Sequence, residues 1–209
     1  MNGHTKKRNF LLLGAALLTA LLCFTLTACM RVPRVITSAN EIDIPYDTSR
    51  YIQFEIEMES GAKMTGELEP LRAPITVRNF VTLCDDGYYD GPAFDYIINN
   101  KLVMCSGKNE ENPPYTIYGE FSDNNWKNGI QHYKWTLSMS HKENDNNSAY
   151  SKFFILLENR ASYNGKYAGF GRITSGQANL EQISKVDLDG TTPIEPQTIK
   201  SIRILGNVD

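Results

Sequence analysis

The sequence predicts an all-β fold, a closed antiparallel barrel with two capping helices. Beyond residue 50 the chain is divided into short segments in which apolar and polar residues alternate or a few apolar residues run together, with turn residues between them. Both patterns are typical of strands. Only two stretches have a helical pattern, and they lie far apart in the chain. A barrel closed by helices fits this arrangement.

The first strands and the first helix have clear patterns. Residues 51–58 alternate large apolar and polar side chains, which indicates a half-buried strand, and the turn at 59–62 leads into a returning strand over 63–69. Pro74 is well suited to open a helix, because the first helical position does not need a backbone N–H. The apolar side chains that follow share one face of this helix: Val77, Phe80 and Val81.

The other elements are shorter. Asn-Pro-Pro marks a loop over 109–114, residues 143–147 form a polar turn, and residues 179–184 form the second helix. The remaining strands are predicted over residues 93–98, 101–105, 135–139, 152–157, 167–173 and 199–205.

The N-terminus has the pattern of an export signal. Basic residues 6–8 precede an almost wholly apolar run over 10–28, and Leu-Thr-Ala-Cys closes that run at Cys29. This closure resembles the lipobox of bacterial lipoproteins, which implies that Cys29 is lipidated and anchors the chain to the outer face of the cell membrane. The alternative is an uncleaved transmembrane anchor, because the run is just long enough to span a bilayer.

The predicted organisation has three parts: a signal peptide at 1–28, a lipidated tether at 29–50 and one domain at 51–209. The tether is predicted because the residues up to about 48 are polar and lack clear periodicity. With either kind of anchor, the domain lies outside the cytoplasmic membrane.

Composition excludes several classes of protein. The formal net charge is −3 and no basic stripe is present, so a nucleic-acid partner is not expected. The three histidines form no metal-binding pair with a glutamate on a helix, and there is no Gly-x-Ser-x-Gly elbow. We therefore expect neither a metal nor a cofactor. Cys105 and His141 could form a nucleophilic pair, but nothing local supports it.

Five segments follow one another along the chain: Ala73-Pro74-Ile75-Thr76-Val77-x-Asn79-Phe80, Gly87-Tyr88-Tyr89-Asp90-Gly91-x-x-Phe94, His132-x-x-x-x-Leu137-Ser138-Met139, Ser148-x-x-Ser151-x-Phe153-Phe154-Ile155 and Asn164-Gly165-Lys166-Tyr167-x-x-Phe170-Gly171. In this order and spacing they resemble the motifs of the cyclophilins, and the resemblance covers roughly residues 51–205. The resemblance implies a closed eight-stranded antiparallel barrel with two helices. It also implies catalysis of cis/trans isomerisation at the bond before proline.

The resemblance further implies an apolar slot for the proline ring, edged by polar groups. The implied substrate-binding residues are Leu102, Val103 and Phe154 for the ring, Ser140 and His141 for the peptide backbone, and Lys152, Tyr163 and Tyr167 around them. The two catalytic positions depart from the family. Tyr96 stands where the family has its arginine, and Cys105 stands where it has a supporting glutamine.

The two cysteines of the domain and His132 each have alternative interpretations. The resemblance places Cys84 at a helix end and Cys105 in a pocket strand, too far apart to bridge, so two reduced thiols are expected. An exported protein could nevertheless carry a disulfide there. His132 is interpreted as a structural partner before its strand, with a catalytic role as the alternative.

Three functions are compatible with these residues. The first is a peptidyl-prolyl isomerase that assists folding of exported proteins at the membrane surface, with reduced activity because Tyr96 is neutral. The second is a module that binds proline-containing segments or a partner protein without catalysis. The third is a scaffold whose pocket is closed by Tyr96, Tyr163 and Tyr167. The expected partners are proline-containing peptide segments or unfolded exported proteins, and the membrane through the lipid anchor. We expect a monomer.

Overall fold

The computed structural model describes residues 32–108 and 112–208, and the part from Pro33 onward forms one compact unit. Its strands are β1 (Arg34–Ile36), β2 (Ile52–Met58), β3 (Lys63–Leu68), β4 (Ala93–Ile98), β5 (Leu102–Cys105), β6 (Tyr115–Ile117), β7 (Thr136–Met139), β8 (Phe153–Leu156), β9 (Ala168–Ser175), β10 (Leu188–Asp189), β11 (Thr192–Pro193) and β12 (Gln197–Asn207). Its helices are α1 (Pro74–Asp85) and α2 (Gln177–Ile183), with single 3₁₀ turns at Ala39–Glu41, Ser122–Asn124 and Ala161–Tyr163.

Eight of these strands close into an antiparallel barrel in the order β12-β2-β3-β9-β7-β8-β5-β4. The expected fold class, a closed eight-stranded barrel with two helices, is confirmed. In β2 the predicted alternation is realised, since every second residue from Ile52 to Met58 is buried. A hairpin pairs β2 with β3 from Ile52–Leu68 to Glu57–Lys63. The core therefore lies inside the barrel, and the outer faces of the strands are available to form a binding surface.

Helix α1 begins at Pro74, as predicted, and buries Val77, Phe80 and Val81. Ala73 provides no side-chain cap. The Glu120 carboxylate replaces it, accepting the backbone N–H groups of Ile75 at 2.9 Å and Thr76 at 2.8 Å. Burial raises the pKa of Glu120 to about 7, while the two backbone bonds work in the opposite direction.

The N-terminal segment corrects the predicted tether. Arg34–Ile36 forms a strand that pairs in parallel with β6, with Ile36 opposite Ile117. The next turn is closed by a capping box between Ser38 and Glu41. These residues are part of the folded unit, although the sequence there has no strand periodicity.

Packing continues beyond this turn. Ile42 and Ile44 are each 8% exposed and belong to the main core cluster. The Arg78 guanidinium donates to the Ile42 carbonyl at 2.9 Å. The chain is therefore held to the barrel from Arg34 onward, and the segment available as a tether is shorter than the predicted 29–50.

Cys84 and Cys105 are both buried, and within the described residues no disulfide joins them, in agreement with the expectation that they do not bridge each other. Burial raises the pKa of the Cys84 thiol well above its usual range. The predicted signal peptide and the lipidation site at Cys29 lie outside the described residues. Within residues 32–108 and 112–208, no helix is long and apolar enough to cross a membrane.

Candidate functional site

The candidate site is built on the outer face of β4, β5, β8 and β7. Antiparallel pairing aligns the side chains of directly opposed residues on one side of a sheet. One line of opposed residues, which we call the outer row, consists of Tyr96, Met104, Phe154 and Ser138. A second line beside it contains Ile98, Leu102 and Leu156. The residues between these lines point inward and are fully buried: Ile97, Val103, Ile155 and Leu137.

The pleat of β5 corrects two of the predicted site residues. Val103 and Cys105 are 0% exposed and belong to the core cluster inside the barrel. Neither side chain reaches the outer face. Leu102 lies there as predicted, and Met104 is the residue that motif matching missed. The alternation of side chains along a strand could have identified Met104 once Leu102 was assigned to the outer face.

The centre of the site is an apolar cluster, which we call the slot. It contains the buried residues Leu102, Phe154 and Leu156, with Ile98, Met104, Tyr163 and Tyr167 packed against them. Phe154 is only 1% exposed. Phe154 therefore lies in the slot beneath its aromatic neighbours, and its role in binding a proline ring stays a prediction.

The cover is provided by residues 157–167, which we call the cover segment. The Tyr163 ring meets Phe154 edge-on at 5.8 Å between centroids, and the Tyr167 ring does so at 5.3 Å. The two tyrosine rings lie 4.9 Å apart. Edge-to-face contacts of this kind are favourable, so the predicted Tyr163 and Tyr167 form a packed pair over Phe154.

His132 ties the cover segment to the barrel wall. Its Nε2 lies 2.9 Å from the Ser138 hydroxyl, and its Nδ1 lies 3.1 Å from the Asn164 side-chain oxygen. The backbone N–H of His132 donates to the same oxygen at 2.8 Å. Burial lowers the pKa of His132, and the Asn164 bond opposes this. The interpretation of His132 as a structural partner agrees with these bonds.

The predicted polar edge lies at the end of β7 and the start of β8. The backbone N–H of Ser140 donates to the Lys152 carbonyl at 2.8 Å. Lys152 precedes Phe154 by two residues and so faces the same side. The His141 ring stacks on Phe121 at 5.1 Å and meets Tyr167 at 5.1 Å. Its nitrogens lie 2.8 Å and 2.9 Å from the carbonyls of Lys142 and Lys166, so they already have internal partners.

Tyr96 lies at the open end of the outer row and is 37% exposed. The pairing of β4 with β5 shifts between Phe94 and Tyr96, which makes Asp95 a bulge residue. The Asp95 carboxylate accepts the backbone N–H of Ser106 at 3.0 Å, so the bulge is held in place. The backbone of Tyr96 is thus held opposite Met104, and its exposed phenol is available to donate to a peptide on the slot.

This set of side chains can bind and polarise rather than attack. Burial raises the pKa of Tyr167, followed by the effects of Tyr163 and Glu143, so its hydroxyl is a neutral donor. Across residues 32–108 and 112–208, no group of three or more His, Cys, Asp or Glu side chains could hold a metal ion. The geometry offers an apolar surface with hydroxyl groups at its edges.

Comparison with known proteins agrees with this architecture. Residues 51–204 match the family model described as cyclophilin type peptidyl-prolyl cis-trans isomerase/CLD. The peptidyl-prolyl cis-trans isomerase cyp18 of Streptomyces antibioticus is 29% identical over 70% of this chain and 95% of its own length. The peptidyl-prolyl cis-trans isomerase B of Bacillus subtilis is 35% identical over 63% of this chain and 90% of its own length.

A solved structure shows the same fold. The cyclophilin-type isomerase of Cryptosporidium parvum, crystallised in the presence of the dipeptide Ala-Pro, aligns with a TM-score of 0.64 at 22% identity. The alignment covers 74% of this chain and 99% of that one.

Proposed function

This chain belongs to the family of cyclophilin-type peptidyl-prolyl cis-trans isomerases, and from that premise we propose that it isomerises Xaa-Pro bonds of exported proteins at the outer face of the cell membrane, at a reduced rate. The activity follows from the family. The reduced rate and the cellular setting are proposed from this chain's own residues.

The reaction demands little covalent chemistry. Rotation about the Xaa-Pro bond meets a barrier of about 18–20 kcal/mol because amide resonance must be broken. Catalysis requires a surface that holds the proline ring and donors that favour the twisted amide over the planar one. The slot offers the first, and Tyr96 offers a donor at its edge.

The outer row is the observation that carries the proposal. Tyr96, Met104 and Phe154 are opposed across three neighbouring strands. Adjacent strands lie about 4.8 Å apart, so about 10 Å separates the backbones of Tyr96 and Phe154. A proline ring on Phe154 therefore places its flanking peptide group within reach of the Tyr96 side chain.

The reduced rate follows from the charge of the donor. Hydrogen bonds that involve a charged group contribute about 1.5–3 kcal/mol, whereas neutral ones contribute about 0.5–1.5 kcal/mol. A loss of about 1.4 kcal/mol in the transition state lowers a rate about tenfold. We expect kcat/KM to be about tenfold below that of a relative with arginine at this position.

The membrane setting is supported by the N-terminal sequence. Basic residues, an apolar run and Cys29 after Leu-Thr-Ala have the order of a lipoprotein signal. Two or more acyl chains on Cys29 would anchor the chain stably. The substrates would then be proline-containing segments of exported proteins. Fatty-acid labelling of the full chain tests this, because Cys29→Ser should abolish the label and release the protein from membranes.

The cover over Phe154 favours a second candidate function. Phe154 is 1% exposed beneath Tyr163 and Tyr167, so a proline ring must displace these side chains to bind. The alternative is a module that binds proline-containing segments without catalysis. In that case the free energy of peptide binding would be used to displace Tyr163 and Tyr167, and none would remain to stabilise the twisted amide.

One experiment separates the two functions. The full chain in detergent micelles is added in catalytic amounts to a short Ala-Pro peptide, and NMR exchange spectroscopy measures the cis/trans interconversion rate. Faster interconversion supports the isomerase. Peptide shift changes without faster interconversion support the binding module, and neither effect would contradict both.

A further inference from the structure

We propose that His132 is a positioning residue of this isomerase, which holds the cover segment over Phe154 and releases it on protonation. The inference rests on the proposed function, because it concerns how a prolyl peptide reaches the same slot. It concerns a residue that touches neither the peptide nor the reacting bond.

His132 connects the two sides of the slot. On the barrel side it meets Ser138, a member of the outer row on β7. On the other side it meets Asn164 of the cover segment through both its ring and its backbone N–H. The Arg160 N–H adds a third bond, donated to the His132 carbonyl at 2.8 Å. His132 is therefore one of the residues that hold the cover segment, together with Gln131, His141 and Asp123.

The bonds select one neutral form of the ring. The Asn164 side-chain nitrogen donates to Gln131 at 2.7 Å, so its oxygen faces His132 and accepts. Nδ1 must therefore carry the proton, and Nε2 accepts from the Ser138 hydroxyl. Protonation of Nε2 would reverse the Ser138 bond and place a charge at a residue that is 1% exposed.

The surroundings do not compensate such a charge. From the cover segment the ring faces the phenol rings of Tyr163 at 6.1 Å and Tyr167 at 6.5 Å. The nearby Arg160 guanidinium lies 5.6 Å from the Tyr163 ring and is paired with Glu158. From β7 the ring faces Ser138, which does not titrate. Glu143 contributes to the raised pKa of Tyr167, whereas burial, opposed by the Asn164 bond, lowers the pKa of His132.

A charged His132 is therefore better accommodated when the cover segment moves away and water reaches the ring. The movement would expose Phe154 to a proline ring. If the pKa of His132 is one unit higher in the uncovered state than in the covered state, protonation of the ring raises the ratio of uncovered to covered molecules about tenfold. Prolyl peptides should thus bind more tightly as the pH falls.

The test uses the full chain in detergent micelles, with ¹⁵N-histidine and ¹³C-tyrosine labels. NMR shifts identify the protonated ring nitrogens of His132, and Tyr163→Phe and Tyr167→Phe assign the tyrosine signals. We expect a neutral ring with the proton on Nδ1, and Tyr163 and Tyr167 signals that move with the same pH midpoint as His132. Tyrosine signals that stay constant while His132 titrates would overturn the proposal, whether or not the chain is an isomerase.

Two variants separate His132 from its neighbour. His132→Gln keeps one donor and one acceptor but cannot be protonated, whereas His141→Gln removes the other histidine near Tyr167. The Kd of an Ala-Pro peptide should fall several-fold from pH 8 to pH 5 in the wild type and stay level in His132→Gln. His141→Gln changes a residue assigned to the peptide backbone, so its Kd can differ from the wild type at both pH values, but the ratio of the two Kd values should equal that of the wild type. A pH step that persists in His132→Gln would refute the assignment. In measurements of catalysed cis/trans exchange, the change between pH 8 and pH 5 should appear in KM and not in kcat.

Discussion

Tyr96 provides the hydroxyl that we assign to the reaction, and its contribution can be measured directly. Tyr96→Phe removes one neutral donor while keeping the ring, so kcat/KM should fall about two- to tenfold. The free energy of unfolding should change little, because the side chain is 37% exposed. Tyr51→Phe is the matched control, since Tyr51 is 43% exposed and lies outside the site. Equal rates for wild type and Tyr96→Phe would remove Tyr96 from the mechanism.

The pleat of β5 determines how an arginine could be restored. Met104 is opposed to Tyr96 on the outer face, whereas Cys105 points into the core. Tyr96→Arg with Met104→Gln should raise kcat/KM about five- to tenfold, because a charged donor replaces a neutral one and the amide supports it. Exchange spectroscopy on an Ala-Pro peptide measures the gain.

The matched control places the glutamine at Cys105, one residue after Met104. Tyr96→Arg with Cys105→Gln buries an unpaired amide, which costs about 1–3 kcal/mol of stability and should give no gain in rate. A gain with Cys105→Gln and none with Met104→Gln would contradict the orientation of β5.

The sequence located the site but not every side chain in it. The motifs identified Phe154, Tyr163 and Tyr167, and the structure brings these three together. Motif alignment misplaced Val103 and Cys105 because an offset of one residue in a strand exchanges the two faces. The contact of His132 with Asn164 joins positions 32 residues apart, so it leaves no local pattern.

At the scale of elements, helix α1 depends on a carboxylate from a distant loop. The pKa of Glu120 is about 7 in the folded chain, against an ordinary value of 4.5. The folded state therefore holds this proton more tightly than the unfolded state. The resulting stabilisation is complete below about pH 4.5 and is lost as the pH rises through about 7.

The size of this effect can be tested with Glu120→Gln. The difference of about 2.5 in pKa corresponds to a loss on the order of 3 kcal/mol in the free energy of unfolding across that window. Urea unfolding from pH 4 to pH 8 should show this decline in the wild type and not in Glu120→Gln. Parallel pH curves for the two proteins would show that Glu120 ionises normally.

The predicted elements differ in how well local patterns define them. Strand β2 and helix α1 were predicted almost to their ends, because alternation and Pro74 are local signals. Strands β1 and β6 were missed. Each has three residues, and they stabilise each other through a parallel pairing between segments about eighty positions apart. Short segments of this kind carry too few residues for a periodic pattern.

At the scale of the whole molecule, the folded unit begins earlier than the predicted domain. Ile42 is 8% exposed within the core cluster. Ile42→Ala should therefore lower the free energy of unfolding by about 2–4 kcal/mol. Val35→Ala is the control, since Val35 is 36% exposed. Denaturant unfolding measures both, and equal stabilities would mean that the segment is a tether after all.

The parallel pairing of β1 with β6 also limits where the barrel can work. With Cys29 lipidated as proposed, only the residues between it and Arg34 separate the anchor from the folded unit. An extended chain spans at most about 3.4 Å per residue, so the stretch from Cys29 to Arg34 spans at most about 17 Å. The enzyme would then work within a thin layer above the lipid surface, on the chains that enter that layer. The rate of catalysis would then depend on how many proline-containing chains enter that layer, and only weakly on the concentration of such chains in bulk solution.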